Sequence, residues 1–184
     1  MTVSIFNKNV PMTAFEIEKL PPASQQDLLF DQNVLKRVVK VSSHLESISL
    51  DRMSEINVPA RQALSTMLLK MFEVNQNTLL RLSLFKFSDV IADGEEILNF
   101  LANCKIISLE RLDLGGNPNW YTTEQAVANL GKTIQNQKAL QVLCLGNESM
   151  LSSEATLTVM RAIKTSSSLN TLRLLDLSHC NWDN

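Results

Sequence analysis

Aliphatic residues recur along this chain in a fixed spacing, with leucine or isoleucine at the first, fourth and sixth positions of a six-residue frame. Five such frames occur, and their starts lie 34, 30, 31 and 32 residues apart. Residues two apart on an extended strand share one face, so the spacing predicts five short strands that each bury one side. The five frames are Leu45-Ile48-Leu50, Leu79-Leu82-Leu84, Leu109-Leu112-Leu114, Leu140-Leu143-Leu145 and Leu172-Leu175-Leu177.

Each of the first four frames is followed by a segment whose apolar residues have helical spacing. Thr122, three residues before Gln125, predicts the capped start of the third helix, and Ser153 predicts the start of the fourth. Strands that alternate with helices through right-handed crossovers predict a parallel sheet in a stacked α/β fold. The apolar positions of the last two predicted helices are Val127, Leu130 and Ile134, then Val159, Met160 and Ile163.

The turns after the third and fifth frames carry a further signature. Eight residues after the first leucine stand Asn117 and Cys180, two side chains suited to bonding a turning backbone. With the segments LERLDLGGNPNW and LRLLDLSHCNW, the chain resembles the leucine-rich repeat family, and its long repeats resemble the ribonuclease-inhibitor-like subclass. The resemblance implies a curved right-handed solenoid with the parallel sheet on its concave face. The first two frames have Met53 and Phe87 at the Asn/Cys position and depart from the family pattern.

The domain organisation expected from this pattern has two parts. Residues 1–44 are an N-terminal segment with a capping helix that starts at Ser24, and residues 45–184 are a leucine-rich repeat domain of about five repeats. The last repeat is incomplete, so Leu172, Leu175 and Leu177 would lie at an uncovered edge. We therefore expect the C-terminal edge to be covered by another subunit, a second copy or further repeats.

Composition narrows the class of protein. Leucine accounts for 29 of 184 residues, apolar residues for 45% and charged residues for 20%, which favours a globular chain with an aliphatic core. The net charge of −2 supplies no positive field for a nucleic-acid partner. Three cysteines without metal-ligand spacing favour reduced thiols, and no apolar run has the length of a membrane span. These features predict a cytoplasmic protein.

The sequence offers little for catalysis. Ala126 to Thr133 matches a loose phosphate-loop expression, but its helical register predicts that the amides are already bonded within a helix. His44 and His179 have no second ligand at helical spacing, and no nucleophile–base or zinc-binding motif is present. We therefore expect no enzyme activity, no cofactor and no metal. Trp120 falls in an apolar column and is expected in the core.

The outward-facing strand positions give the candidate binding surface. Arginine and aromatic residues are enriched at binding hot spots, and adjacent strands carry both types here. An alternative is an idle surface on which Arg111 pairs with Asp176, or Arg81 with Asp113, in an ion pair of little energy. The candidate partner-binding residues are Arg81, Phe85, Arg111, Asp113, Val142, Leu174 and Asp176.

Two functions follow as hypotheses. The first is a noncatalytic scaffold, or a subunit of a larger assembly, that binds a protein partner through the repeat surface. The second is a substrate-recruiting or regulatory adaptor, such as a ubiquitin-ligase adaptor or a bacterial effector. The segment from Leu20 to Leu29 resembles the start of an F-box helix pair, which would favour the adaptor, but too little of that pattern follows.

Overall fold

The computed structural model describes residues 14–17, 44–50, 58–87, 94–146 and 151–180. Strands and helices alternate over these ranges. The strands are β1 (Ala14–Ile17), β2 (Ser47–Leu50), β3 (Arg81–Ser83), β4 (Arg111–Asp113), β5 (Val142–Cys144) and β6 (Leu174–Asp176). The α-helices are α1 (Val58–Asn75), α2 (Gly94–Asn103), α3 (Glu124–Asn136) and α4 (Ser153–Thr165), and two 3₁₀ helices span Pro118–Tyr121 and Ser167–Asn170.

The six described strands form one parallel sheet, and they lie in it in their order along the chain. Each strand pairs with the next so that equivalent frame positions are opposite one another. This arrangement confirms the predicted α/β fold with a parallel sheet. The fourth frame position forms a row across the sheet that consists of Ile48, Leu82, Leu112, Leu143 and Leu175.

The frame residues form the centre of the core. Leu112, Leu114, Leu143 and Leu145 are fully buried, as the strand prediction requires. A fully buried leucine contributes roughly 1.5–3 kcal/mol relative to an exposed one, so the repeated frame is the main stabilising feature of the sheet. The residue at the fourth frame position of β6 is less buried than its counterparts, because Leu175 is 37% exposed.

The helices pack against the frames, and α4 begins at Ser153 as predicted, but the predicted cap of α3 is wrong. Helix α3 is capped by Thr123 rather than Thr122, and the hydroxyl of Ser152 caps α4; each hydroxyl accepts a backbone N–H three residues later. Met160 lies on the exposed side of α4, where it does not contribute to the core. Among the described residues, no helix combines the length and the apolar character that crossing a bilayer needs.

The turns after the strands repeat one backbone conformation. Lys86, Gly116 and His179 each lie seven residues after the first leucine of their frame, and they have positive φ angles of 52°, 70° and 59°. The next position carries the bonding side chain, as predicted for Asn117 and Cys180. Asn117 Nδ2 donates to the carbonyls of Leu114 and Gly115 in its own turn and to that of Leu84 one repeat earlier, and Cys180 Sγ lies 3.9 Å from the Leu145 carbonyl oxygen. The turns are therefore joined to one another as well as to their own strands.

A second set of polar side chains joins the repeats at the opposite end of the strands. Asn75, Gln137 and Ser168 are buried, and each accepts the backbone N–H of the first frame leucine one repeat earlier, at 2.7–3.0 Å. Thr78 and Thr171 add bonds from their hydroxyls to the carbonyls of Leu45 and Leu140. These bonds were not predicted, although the polar residue three or four positions before a frame was visible in the sequence.

Strand β1 was also not predicted. It pairs in parallel with β2, with Phe15 opposite Ile48 and Ile17 opposite Leu50. The sequence contains the signal, because Met12, Phe15 and Ile17 have the same spacing as a leucine frame. The first repeat unit therefore begins earlier in the chain than the five leucine frames. The predicted capping helix after Ser24 lies outside the described residues.

Candidate protein-interaction surface

The outward-facing side of the sheet carries its first row of side chains at the start of the strands. Register places Arg81 beside Arg111, Arg111 beside Val142, and Val142 beside Leu174. Both arginines are exposed, Val142 is half-buried, and Leu174 is 47% exposed. This row forms a strip of two cations followed by two aliphatic residues on four neighbouring strands.

An open groove of about 390 Å³ lies beside this row, towards the ends of the strands. Of the seven predicted residues, the groove brings together Phe85, Arg111, Asp113 and Asp176. Arg81, Val142 and Leu174 lie in the first row and do not line it. The sequence prediction omitted five lining residues from its candidate set, namely Gly115, Cys144, Gly146, Ser178 and His179.

The two glycines form the floor of the groove, where neighbouring turns lie close together. A Cβ atom on Gly146 would lie 2.5 Å from Ser178 Oγ, and one on Gly115 would lie 2.8 Å from the carbonyl oxygen of Gly146. Glycine is therefore required at both positions by the approach of the next turn. Phe85 and Ser178 occupy the equivalent frame position on the flanking strands, so the groove is two strands wide with an aromatic wall on one side.

The charged groups of the groove are fixed by local bonds. Arg111 Nη2 donates to Asp113 Oδ2 at 3.0 Å, and not to Asp176, the partner considered for it in the alternative of an idle surface. The alternative pairing of Arg81 with Asp113 stays a prediction. Arg111 and Asp113 are two residues apart on one strand and therefore share a face. The Asp113 side chain is largely buried, whereas that of Arg111 remains about half exposed. Arg111 is thus held in place by its own strand while its guanidinium still faces solvent.

The Asp176 side chain, at the other side of the groove, bonds to the backbone of its own turn as the Asp113 side chain does. Its Oδ1 accepts the backbone N–H of Ser178 at 2.9 Å, as Asp113 Oδ1 accepts that of Gly115 at 3.3 Å. The bonds from Ser178, first from its backbone and then from its side chain, lower the pKa of the Asp176 carboxyl. Asp176 therefore stays ionised at neutral pH and presents a fixed negative charge to the groove.

Cys144 lies between the two aspartates, and the charges of the groove shift the pKa of its thiol. Partial burial, together with the Asp113 and Asp176 carboxylates, raises the pKa of its thiol to about 11, and the Arg111 guanidinium opposes this shift. The thiol is therefore protonated at neutral pH, which makes it a poor nucleophile. The groove is an ordered, mixed-charge recess rather than a site prepared for nucleophilic chemistry at Cys144.

The phosphate-loop-like segment has the predicted helical setting. All of Ala126 to Thr133 lies within α3, and Thr133 Oγ1 donates to the carbonyl of Asn129 in the preceding turn. Lys132 is exposed, and its Nζ donates to Asn103 Oδ1 at 2.7 Å on the neighbouring helix. The segment therefore packs helices together and forms no loop of free amides in this structure.

The remaining candidates are also placed. Trp120 is buried and contacts Phe87 edge to face, at 6.4 Å between ring centroids, so its expected core position is confirmed. His179 is exposed, and the adjacent Cys180 is buried. Over the described ranges, no three His, Cys, Asp or Glu side chains are grouped so as to hold a metal ion.

Comparison with known proteins adds no relative from which a role could be transferred. No protein-family model matches this chain, and no curated protein matches it.

Proposed function

We propose that this chain is a noncatalytic protein-interaction scaffold of the leucine-rich repeat type, and that it binds a protein partner on the outward face of its sheet. In this proposal the strand–helix units stack as a curved right-handed solenoid of the ribonuclease-inhibitor-like subclass, with the sheet on the concave face. The aligned frames, the Asn117 and Cys180 turns and the helix layer support it. We propose the cytoplasm as its location, because Cys104, Cys144 and Cys180 form no disulfide.

The groove is the observation that carries the binding proposal. It places an exposed arginine, an aromatic wall and an ionised aspartate around a floor of two glycines. Arginine and aromatic side chains dominate the energy of protein interfaces, particularly where they surround a recess that a partner side chain can fill. A scaffold would use these groups for recognition without any chemical step.

The energetic contribution of Arg111 follows from its preorganisation. Its bond to Asp113 restricts the rotamers of a long side chain before binding, so less conformational entropy is lost when a partner docks. A partner carboxylate or backbone carbonyl can still accept from the exposed part of the guanidinium. The first-row neighbours Val142 and Leu174 would extend the contact with apolar surface, which costs little to desolvate.

The experiment that tests this function is capture of a partner from native extract with three versions of the chain, followed by mass spectrometry. The unmodified chain and Arg161→Glu, an exposed charge reversal on α4, should capture the same protein. Arg111→Glu should lose that protein while its thermal melting temperature stays close to that of the unmodified chain. Equal capture by all three versions would place the binding surface elsewhere.

A further inference from the structure

Exposed apolar side chains are concentrated at one end of the described structure. Six large hydrophobic residues are exposed in the described ranges, and five of them belong to the last strand–helix unit. Four of these define an end face formed by α4, the second 3₁₀ helix and β6: Leu157, Met160, Leu169 and Leu175.

The end face presents residues whose equivalents are covered in earlier repeats. Leu175 is 37% exposed, whereas Leu143, its counterpart on β5, is fully buried. Leu169, three residues before a frame, is 48% exposed, whereas Ile106 at the equivalent position is 1% exposed. The residue type is aliphatic at both pairs of positions, and the exposed members are those with no following strand–helix unit among the described residues.

Met160 is exposed at the same end of the structure, on the helix layer. Thr158 faces α3, because its Cγ2 lies 3.7 Å from the position that a Cβ on Gly131 would take. Two residues correspond to about 200° around a helix, so Met160 lies on the side of α4 away from α3. The helix layer and the sheet therefore both end in exposed apolar side chains on this side.

The backbone of β6 also repeats the bonding pattern of an interior strand. Between neighbouring strands of the sheet, the first residue of a strand donates its backbone N–H to the residue that comes just before the previous strand. Leu174, for example, donates to the carbonyl of Gln141. The residue after a strand donates to the carbonyl of the third residue in the next strand, as Leu145 does to Asp176. On β6 the equivalent groups are the Arg173 carbonyl and the Leu177 N–H, and β6 is the last strand in the described sheet.

We infer that the end face and the β6 edge bind β1 of a second copy of this chain, in parallel and head to tail. The chain itself carries the matching half: β1 is the first strand of the described sheet and has the same register to β2 that β5 has to β6. The hydrogen-bond pattern between neighbouring strands of the sheet then predicts two intermolecular backbone hydrogen bonds. Ala14 N–H donates to the Arg173 carbonyl, and Leu177 N–H donates to the Glu16 carbonyl.

A contact of this kind uses different surfaces on the two copies. Head-to-tail contacts that do not close into a ring form open chains of subunits, so the association should continue beyond a dimer as concentration rises. An apolar strand edge next to an apolar helix face gives such a contact both hydrogen bonds and buried area.

Sedimentation measurements from micromolar to millimolar concentration test the inference with paired variants. The weight-average mass of the unmodified chain should rise from 20.6 kDa to at least twice that value. Leu175→Asp and, separately, Leu169→Asp should each keep the chain monomeric. Ala14→Pro should do the same by removing the outward N–H of β1, at a strand start where proline is tolerated. Val74→Asp, an exposed apolar position on α1, is the matched control and should associate like the unmodified chain.

Mixing distinguishes head-to-tail pairing from other modes. Equal amounts of Leu175→Asp and Ala14→Pro should form a dimer and nothing larger, because each retains one intact half of the interface. A monomeric unmodified chain at every concentration would overturn the inference. So would association of Ala14→Pro that equals the unmodified chain, since β6 would then bind something other than β1. Circular dichroism confirms that each variant is folded before its mass is interpreted.

Discussion

The side-chain oxygen of Asn117 accepts the backbone N–H of Phe87 at 2.6 Å, across a separation of thirty residues. The same amide donates through Nδ2 to the carbonyls of Leu84, Leu114 and Gly115. One fully buried side chain therefore bonds to two consecutive turns. This relationship explains why a planar amide with both donors and an acceptor occupies the position.

Replacing Asn117 by alanine should lower the free energy of unfolding by about 2–4 kcal/mol, because several buried backbone groups would lose their partners together. Chemical denaturation monitored by circular dichroism measures the change. Asn99→Ala, an exposed asparagine on α2, is the control and should change stability by less than about 0.5 kcal/mol. Equal effects of the two substitutions would contradict the bonding role of Asn117.

The sheet core gives a second prediction. Leu143→Ala should cost about 2–5 kcal/mol, since the residue is fully buried in the central row of the sheet. Leu174→Ala, the exposed residue next to the β6 frame leucine, serves as the control and should cost far less. A loss below about half a kcal/mol for Leu143→Ala would show that the register of β5 is wrong.

Much of this fold could be predicted because strand geometry converts residue spacing directly into burial. The first, fourth and sixth frame positions specify which side chains face the core, and Leu112 and Leu143 are buried accordingly. The frame of β1 was not recognised because Met12, Phe15 and Ile17 replace leucine while keeping its spacing. The cap of α3 was misplaced by one residue because two equivalent hydroxyl residues, Thr122 and Thr123, stand side by side.

The groove could be predicted only in part, for a different physical reason. Alternation along strands placed Phe85, Arg111, Asp113 and Asp176 on one face, and the structure brings them together. The partner of Arg111 could not be deduced, because a long side chain reaches an acid two residues along its own strand as readily as one on a neighbouring strand. The roles of Gly115 and Gly146 depend on how closely successive turns approach, which residue spacing does not specify.

Replacing glycine by alanine should have opposite effects on stability at two positions, Gly94 and Gly131. A Cβ on Gly94 would overlap the indole ring of Trp120, so Gly94→Ala should destabilise the chain by about 1–3 kcal/mol. A Cβ on Gly131, within α3, would make only ordinary contacts at 3.7 Å with Ala162 and Thr158. Gly131→Ala should therefore stabilise by about 0.5–1 kcal/mol through helix propensity. Thermal unfolding of both variants checks the signs, and destabilisation of equal size would refute the packing described for α3.

The thiol of Cys144 gives a pH-dependent prediction. A pKa of about 11 against an ordinary 9.0 leaves about 100-fold less thiolate at pH 8, and thiolate is the reactive form. Iodoacetamide should therefore label Cys144 far more slowly in the folded chain than in the urea-unfolded chain. The measurement uses a background in which Cys104 and Cys180 are replaced by serine.

Burial alone would also slow this labelling, so a charge change is needed to separate the two causes. Asp176→Asn removes a negative charge near the thiol, should lower the pKa of Cys144, and should therefore accelerate labelling at pH 8. Arg111→Ala should slow it, because the guanidinium favours the thiolate. Identical rates in both variants would show that the groove charges do not act on Cys144.

Photo-cross-linking from the groove tests the proposed partner-binding surface most directly. A benzoylphenylalanine at position 85 places the probe in the aromatic wall, and the same probe at position 74 places it on the exposed side of α1. We predict that the partner captured from native extract cross-links to position 85 and not to position 74, and that Arg111→Glu abolishes the product. A partner that cross-links from position 74 while position 85 gives no product would contradict binding on the sheet face.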